Sequence, residues 1–426
     1  MPRSCLLLLA VLAPLAACGD TAEPHPLGVD VAVSALEREL APDVSGEDRS
    51  ALAAGNRAFA FDLFDDLREA PGNLFVSPYS ISVALAMTYA GAEGETERQM
   101  REVLHYTLAE SRLHPAFNRA DLDLASRGEE AAGSDDGPFR LRISNSYWAQ
   151  DDFQFLDTYL DTLAVNYGAV AYQLDFRGDP ESARMTINDW VDRQTEGRID
   201  ELVPAGAITP ITRLVLTNAI YFNAAWDVPF EEADTADGSF QRLDGSTVTA
   251  PFMNQVERHR YAEGDGWQAV ELRYDAPELA MVLVLPEAGR FEEIEAALGD
   301  SFEAIEDALV THQTTLSMPR FSFSSDFALG ESLMRLGMVD AFSGAADFSG
   351  MNGARNLFIQ AVLHEAFIAV NEAGTEAAAA TAVIVGEVSA PPLATITFDH
   401  PFLFFIVDHP TGQILFMGRV LDPTAA

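Results

Sequence analysis

Two stretches of this chain begin like catalytic motifs, and neither completes one. "HEAFI", residues 364–368, opens with His364-Glu365 as a zinc-protease helix does, but the second imidazole position holds Ile368. That chemistry needs two histidines one helical turn apart, so that both rings reach one metal. The eight histidines are scattered, and no pair has that spacing. His105 and His114 therefore read as surface or partly buried side chains. "EGDGW", residues 263–267, is a lone glycine pair in a turn and not a dinucleotide loop. No Gly-x-Ser-x-Gly elbow occurs.

Every one of the 26 basic side chains is arginine. Without lysine there is no phosphate-loop lysine, pyridoxal Schiff base, kinase lysine or Ser-x-x-Lys pair. Carboxylates number 66 and give a net charge of −40, so a close pair of them carries no information. Such a charge repels phosphate backbones and sulfated chains. Neither nucleic acid nor a polyanionic glycan is expected as a partner, and no metal or cofactor is expected. The residues nominate no enzyme.

The elements that would position any site read as follows. An amphipathic helix begins near Arg49 and runs through "ALAAGNRAFAFDLFDDLRE" until Pro71-Gly72-Asn73 stops it. "NLFVSPYSISVALAMTYAGA" gives a short strand and then an apolar helix, with Pro78 in its first turn. Residues 126–138 form an acidic, glycine-containing loop. "LRISNSYWAQ" and "AVAYQLDF" are strands around a helix from Leu156 to Tyr167, "RLVLTNAIYFNAAW" is a long strand, and "LAMVLVLP" is a buried one. The chain closes on strands and a hairpin around Thr411-Gly412. Helices dominate the first third and strands the last half, without βαβ alternation. The pattern predicts one large α+β domain with largely antiparallel sheets.

"MPRSCLLLLAVLAPLAAC" has an early Arg3, an apolar run too short to span a bilayer, and small residues leading to Cys18. Leu15-Ala16-Ala17-Cys18 looks like a bacterial lipobox, in which Cys18 becomes the lipidated first residue; an ordinary signal cut near Ala17 is the alternative. Cys5 and Cys18 are the only cysteines, so the mature fold is expected to hold no disulfide. The expected division is a signal at residues 1–17, an acidic tether at 18–49 and a folded domain at 50–424. The expected location is the cell envelope or outer-membrane surface, by a lipid anchor, or outside the cell. A monomer is expected.

One segment belongs to no simple element. In "NEAGTEAAAATAVIVGEVSAPP", residues 371–392, an alanine run reads as helix, β-branched residues read as strand, and two prolines end both. If it entered a sheet, alternate side chains would share a face. One set is then Thr375, Ala377, Ala379, Thr381, Val383 and Val385, with no charge in it. The other set starts with Glu376, facing solvent.

Several blocks together resemble the serpin family. "NLFVSPYSISVALAMTYAGAEGETERQM", "INDWVDRQTEGRIDELVPAGAITPITRLVLTNAIYFNAAWDVPF", "LSMPRFSF", "LMRLGMVDAFSGAADFSGM", "HEAFIAVNEAGTEAAAATAV" and "DHPFLFFIVDHPTGQILFMGRV" follow in that family's order across roughly residues 50–424. The resemblance implies an α+β fold of three β-sheets and about nine helices, with an exposed reactive-centre loop. It implies a suicide-substrate inhibitor of serine endopeptidases, not an enzyme. The target protease cleaves the loop, and the loop then inserts into the central sheet and traps it as a covalent acyl complex; such insertion is a known case of strand addition and strain release.

Carried onto this sequence, the resemblance makes Glu372, Gly374, Thr375, Ala377, Ala378, Ala379 and Ala380 the hinge, with Gly374 as pivot. Glu372 is expected near Arg320. Ser77, Ser80, Asn218 and His364 fall on the shutter, and Trp226 on the breach. Glu365 departs from relatives, which often carry a basic residue there, and is expected to alter surface charge only. The family's spacing from Gly374 places the reactive bond at Val388–Ser389, which suits an elastase-like pocket. A slip to Glu387 would suit a glutamyl-specific protease. Subtilisin-like or papain-like targets, or a non-inhibitory surface binding protein, are the other readings.

Overall fold

Ser45 starts the first long helix by accepting the Asp48 amide on its side chain, with Glu47 and Asp48 in the first turn where the helix dipole favours them. In the computed structural model, which describes residues 29–128, 131–133, 138–375 and 392–425, this helix is α1, Gly46–Leu67. It is followed by α2 (Pro78–Tyr89), α3 (Gly94–Val103), α4 (Glu110–Ala125), α5 (Asp157–Tyr167) and α6 (Pro180–Gln194). The later helices are α7 (Phe291–Ala296), α8 (Leu298–Ala308), α9 (Gly330–Leu336) and α10 (Ser349–Asn352). Helix α2 is buried along its whole length, which explains a sequence that is apolar on every side. Pro78 sits at its start and Ser77 is its cap.

The strands are β1 (Asp30–Ala32), β2 (Leu74–Val76), β3 (Arg140–Gln150), β4 (Ala171–Leu174), β5 (Leu214–Ala225), β6 (Ala236–Gln241), β7 (Thr247–Gly264) and β8 (Trp267–Arg273). They continue as β9 (Leu279–Pro286), β10 (Val310–Pro319), β11 (Phe321–Ala328), β12 (Ala361–Val370), β13 (Gly374–Thr375), β14 (Leu393–Thr397), β15 (Phe402–Asp408) and β16 (Gln413–Val420). A seven-stranded sheet has the order β1-β4-β3-β5-β13-β12-β11. A nine-stranded sheet runs β14-β10-β7-β8-β9-β15-β16-β2, with β6 beside β7.

The α+β expectation holds. Two of the three expected sheets are continuous among the described residues, because β7 pairs with β6 over residues 247–252, with β10 over 252–261 and with β8 over 260–264. Part of the stretch expected as a tether, residues 18–49, contacts the folded body. Strand β1 pairs with β4, the Ser34 hydroxyl donates to Asp161 at 2.5 Å, and Arg38 meets Asp121 at 2.6 Å. The chain is therefore folded onto the body well before Ser50.

The seven-stranded sheet is covered on both faces, which explains why β5 reads as an unbroken apolar run. Its inner face joins the main core against α2 and the nine-stranded sheet. Its outer face meets α6 through a smaller cluster that includes Trp148, Ile187, Trp190, Val215 and Leu363.

Candidate functional site

Asn371 turns the chain out of β12. Its amide donates to the Gly374 carbonyl at 3.0 Å, and its Oδ1 accepts from the Ala373 and Gly374 amides at 3.0 and 3.3 Å. This is the local bond by which asparagine makes a turn. The chain re-enters the same sheet at once as β13, antiparallel to both neighbours: Gly374 is opposite Ala225, and Thr375 is opposite Ala224 and Val370. Gly374 is therefore extended strand already.

The turn is clamped from three sides. Arg320 Nε donates to Glu372 Oε1 at 2.6 Å, and the Thr235 hydroxyl donates to the same oxygen at 2.5 Å. Burial alone would raise the Glu372 pKa, but Arg320 and Thr235 outweigh it and hold the carboxyl below its ordinary value. The Phe230 amide takes the Glu372 carbonyl at 2.9 Å. Trp226 donates its indole N–H to the Asn371 carbonyl and its backbone N–H to the Ala373 carbonyl, both at 2.9 Å. Its ring stacks on Tyr274 with centroids 4.7 Å apart. The Tyr274 hydroxyl lies 2.9 Å from Thr375 Oγ1, and both residues are buried.

Below the turn, β5 and β12 pair directly and in parallel, from Val215–Ala361 to Ile220–Ala366. No register pair joins the two strands at Tyr221–Asn223 and Phe367–Ala369. The sheet is thus split at one end, with β13 in the mouth of the split.

A polar cluster lies in the paired zone. His364 on β12 meets Asn218 Oδ1 on β5 through Nδ1 at 2.5 Å, and its Nε2 accepts the Ser77 amide at 3.2 Å. Asn218 Nδ2 donates to Ser80 Oγ and to Asn145 Oδ1. Ser77 Oγ donates to the Leu415 carbonyl at 2.7 Å. Burial lowers the His364 pKa to about 3, so the ring is neutral, with its proton on Nδ1 as these bonds require. Fully buried and engaged at both nitrogens, it has no access to a substrate.

The structure thus brings Ser77, Ser80, Asn218 and His364 together, and separately gathers Glu372, Gly374, Thr375, Trp226 and Arg320. Ala377, Ala378, Ala379, Ala380, Val388, Ser389 and Cys18 lie outside the described residues. Sequence reasoning missed Asn145, Thr235 and Tyr274, whose surroundings give no local signal. It also missed Asn371, for which the Asn-x-x-Gly turn chemistry was a usable signal. Glu365 differs from its expectation as a surface charge. It is half-buried on the outer face, directly opposite Asp326. Burial first, and then Asp326 and Asp200, push its pKa up to about 7. Among the described residues, no group of three or more His, Cys, Asp or Glu side chains has the placement to hold a metal ion, and no helix is long and apolar enough to cross a membrane.

The family model described as Serpin (serine protease inhibitor) matches residues 54–423. The chain belongs to the serpin family. It is similar to an uncharacterized serpin-like protein of Thermococcus kodakarensis, with 39% identity over 383 residues, 89% of this chain and 87% of that one. It is 38% identical to the leukocyte elastase inhibitor of Bos taurus over 386 residues, 87% of this chain and 99% of the relative. Among solved structures, the native state of the thermophilic serpin tengpin superposes with a TM-score of 0.80 at 28% identity, covering 92% of this chain and all of tengpin. Serpins act on target proteases, so the partner class for this serpin is a protease.

Proposed function

We propose that this serpin inhibits serine endopeptidases of elastase-like specificity as a suicide substrate. The observation that carries the reading is the strand pairing of Gly374–Thr375 between β5 and β12 at the open end of the sheet. A chain continuing from Thr375 in the same direction runs antiparallel to both strands. Thr375 shares the core face with Ala224 and Val370. Strand alternation then sends Ala377, Ala379, Thr381, Val383 and Val385 to the buried face and Glu376 to the other. No charge is stranded in the core.

In this mechanism the protease serine attacks the Val388 carbonyl, the Val388–Ser389 bond breaks, and the Ser389 amine leaves. The serpin remains bound to the protease through an ester. The freed segment zips into the split, parts β5 from β12 past the His364–Asn218 contact, and carries the protease along before water hydrolyses the ester. Ser77, Ser80, Asn218 and His364 act as the shutter that must reorganise. Trp226, Arg320 and Glu372 hold the entry. The uncharged Val388 suits a shallow apolar pocket, and the relative named leukocyte elastase inhibitor supports that specificity. The same proposal includes a monomer tethered at the cell envelope through Cys18, behind a signal at residues 1–17.

Mixing with pancreatic elastase is expected to give an SDS-stable complex. Cleavage without a complex, across a panel of serine proteases, would favour a non-inhibitory binding protein. Ala379→Arg, beyond the strand already paired at Thr375, is expected to turn the inhibitor into a substrate, because insertion would bury an unpaired charge at a cost of several kcal/mol. An Ala379→Arg protein that still traps elastase would overturn the hinge account.

A further inference from the structure

A recess of about 170 Å³ opens where β7 leaves β10 for β8, with one wall formed by Trp226–Val228. It lies beside the hinge clamp but contains none of the loop. Arg258, Arg260 and Arg273 line it in a chain whose net charge is −40. Their engagements differ. Arg260 is taken up by Glu271 at 2.6 Å and by the Leu309 carbonyl at 3.1 Å. Among the described residues, Arg273 has only the Glu271 Oε1 carboxylate oxygen, at 3.6 Å, and Arg258 has no carboxylate within 4.0 Å.

Two acidic residues share the lining. Glu271 is buried: its Oε2 is taken up by Arg260 and lies 3.3 Å from His409, while its Oε1 has no hydrogen-bond partner among the described residues. Asp227 is the other. The lining also includes His259, only 8% exposed, whose Nε2 is buried without a hydrogen-bond partner. Burial lowers the His259 pKa to about 4, so the ring is neutral and offers hydrogen bonding without charge. A buried polar atom without a partner is destabilising, and a bound group that hydrogen-bonds it would relieve that cost.

We propose that this recess is a binding site for a small free oxyanion, phosphate or carboxylate in character. The Arg258 and Arg273 guanidinium forks match such oxygens in geometry and charge, and the unpartnered His259 belongs to the same lining. The site is separate from the predicted reactive bond, and its existence does not depend on inhibition.

The test is calorimetric titration of the full-length chain with inorganic phosphate, with chloride holding ionic strength constant. Saturable one-to-one binding is expected, weakened at least tenfold by Arg258→Gln and again by Arg273→Gln, but unchanged by Arg213→Gln outside the recess. Both recess positions are substantially exposed, so these variants should fold, as equal melting temperatures would verify. Non-saturable heat, or saturable binding untouched by both recess substitutions, would overturn the proposal. So would binding to vesicles of anionic phospholipid with none to free phosphate.

Discussion

His364 looks at first like an abandoned metal ligand, and its surroundings show a different use. Both ring nitrogens are engaged, one across the β5–β12 seam and one to the start of α2. Removing the partner at the seam exposes the value of that arrangement. Asn218→Ala leaves a buried Nδ1–H with no acceptor, which costs about 1–3 kcal/mol. Urea denaturation should show a lower midpoint at unchanged slope, and an unchanged midpoint would contradict the cluster's structural role. Ser77, Ser80, Asn218 and His364 were legible only through the order of family blocks around them. Asn145 was not legible at all, since a polar residue in the middle of a strand gives no sign that it meets Ser80 and Asn218.

At the scale of elements, β12 carries two opposed features. Its inner face holds the neutral His364, and its outer face holds Glu365 against Asp326 on β11 and Asp200 beyond α6. Burial and those two carboxylates raise the folded pKa of Glu365 to about 7 from an ordinary 4.5. The sign follows: the contribution is fully present below about pH 4.5 and is lost as pH rises through about 7, because the unfolded chain releases its proton first. Glu365→Gln should therefore melt with the wild type at pH 4.5 and above it at pH 8. Parallel melting curves at both pH values would show that Glu365 is merely solvated. The individual elements were largely readable. "LAMVLVLP" is β9 residue for residue, and α2 begins at the expected proline. The path of β7 was not readable, because alternation marks a strand but not a change of partners along it.

For the whole molecule, the telling feature is an incomplete pairing. Among the described residues, the seven-stranded sheet joins β5 to β12 along one half and holds Gly374–Thr375 between them at the other. Its two covered faces hold the strands in place while leaving this seam as the place where a further strand fits. Composition could not have indicated such a seam. It depends on contacts between residues more than a hundred positions apart, although the uncharged alternate face of residues 375–385 was visible from the start. Folding of residues 30–45 onto the body was likewise hidden, since Ser34 and Arg38 find their partners on helices far along the chain.

The most direct measurement is intact-mass spectrometry of the serpin mixed with pancreatic elastase. Two new species are expected: a free peptide beginning at Ser389, and a covalent adduct of elastase with the remainder of the chain ending at Val388. Both cleavage fragments free of elastase, with no adduct at any ratio or time, would contradict the claim that insertion outruns hydrolysis.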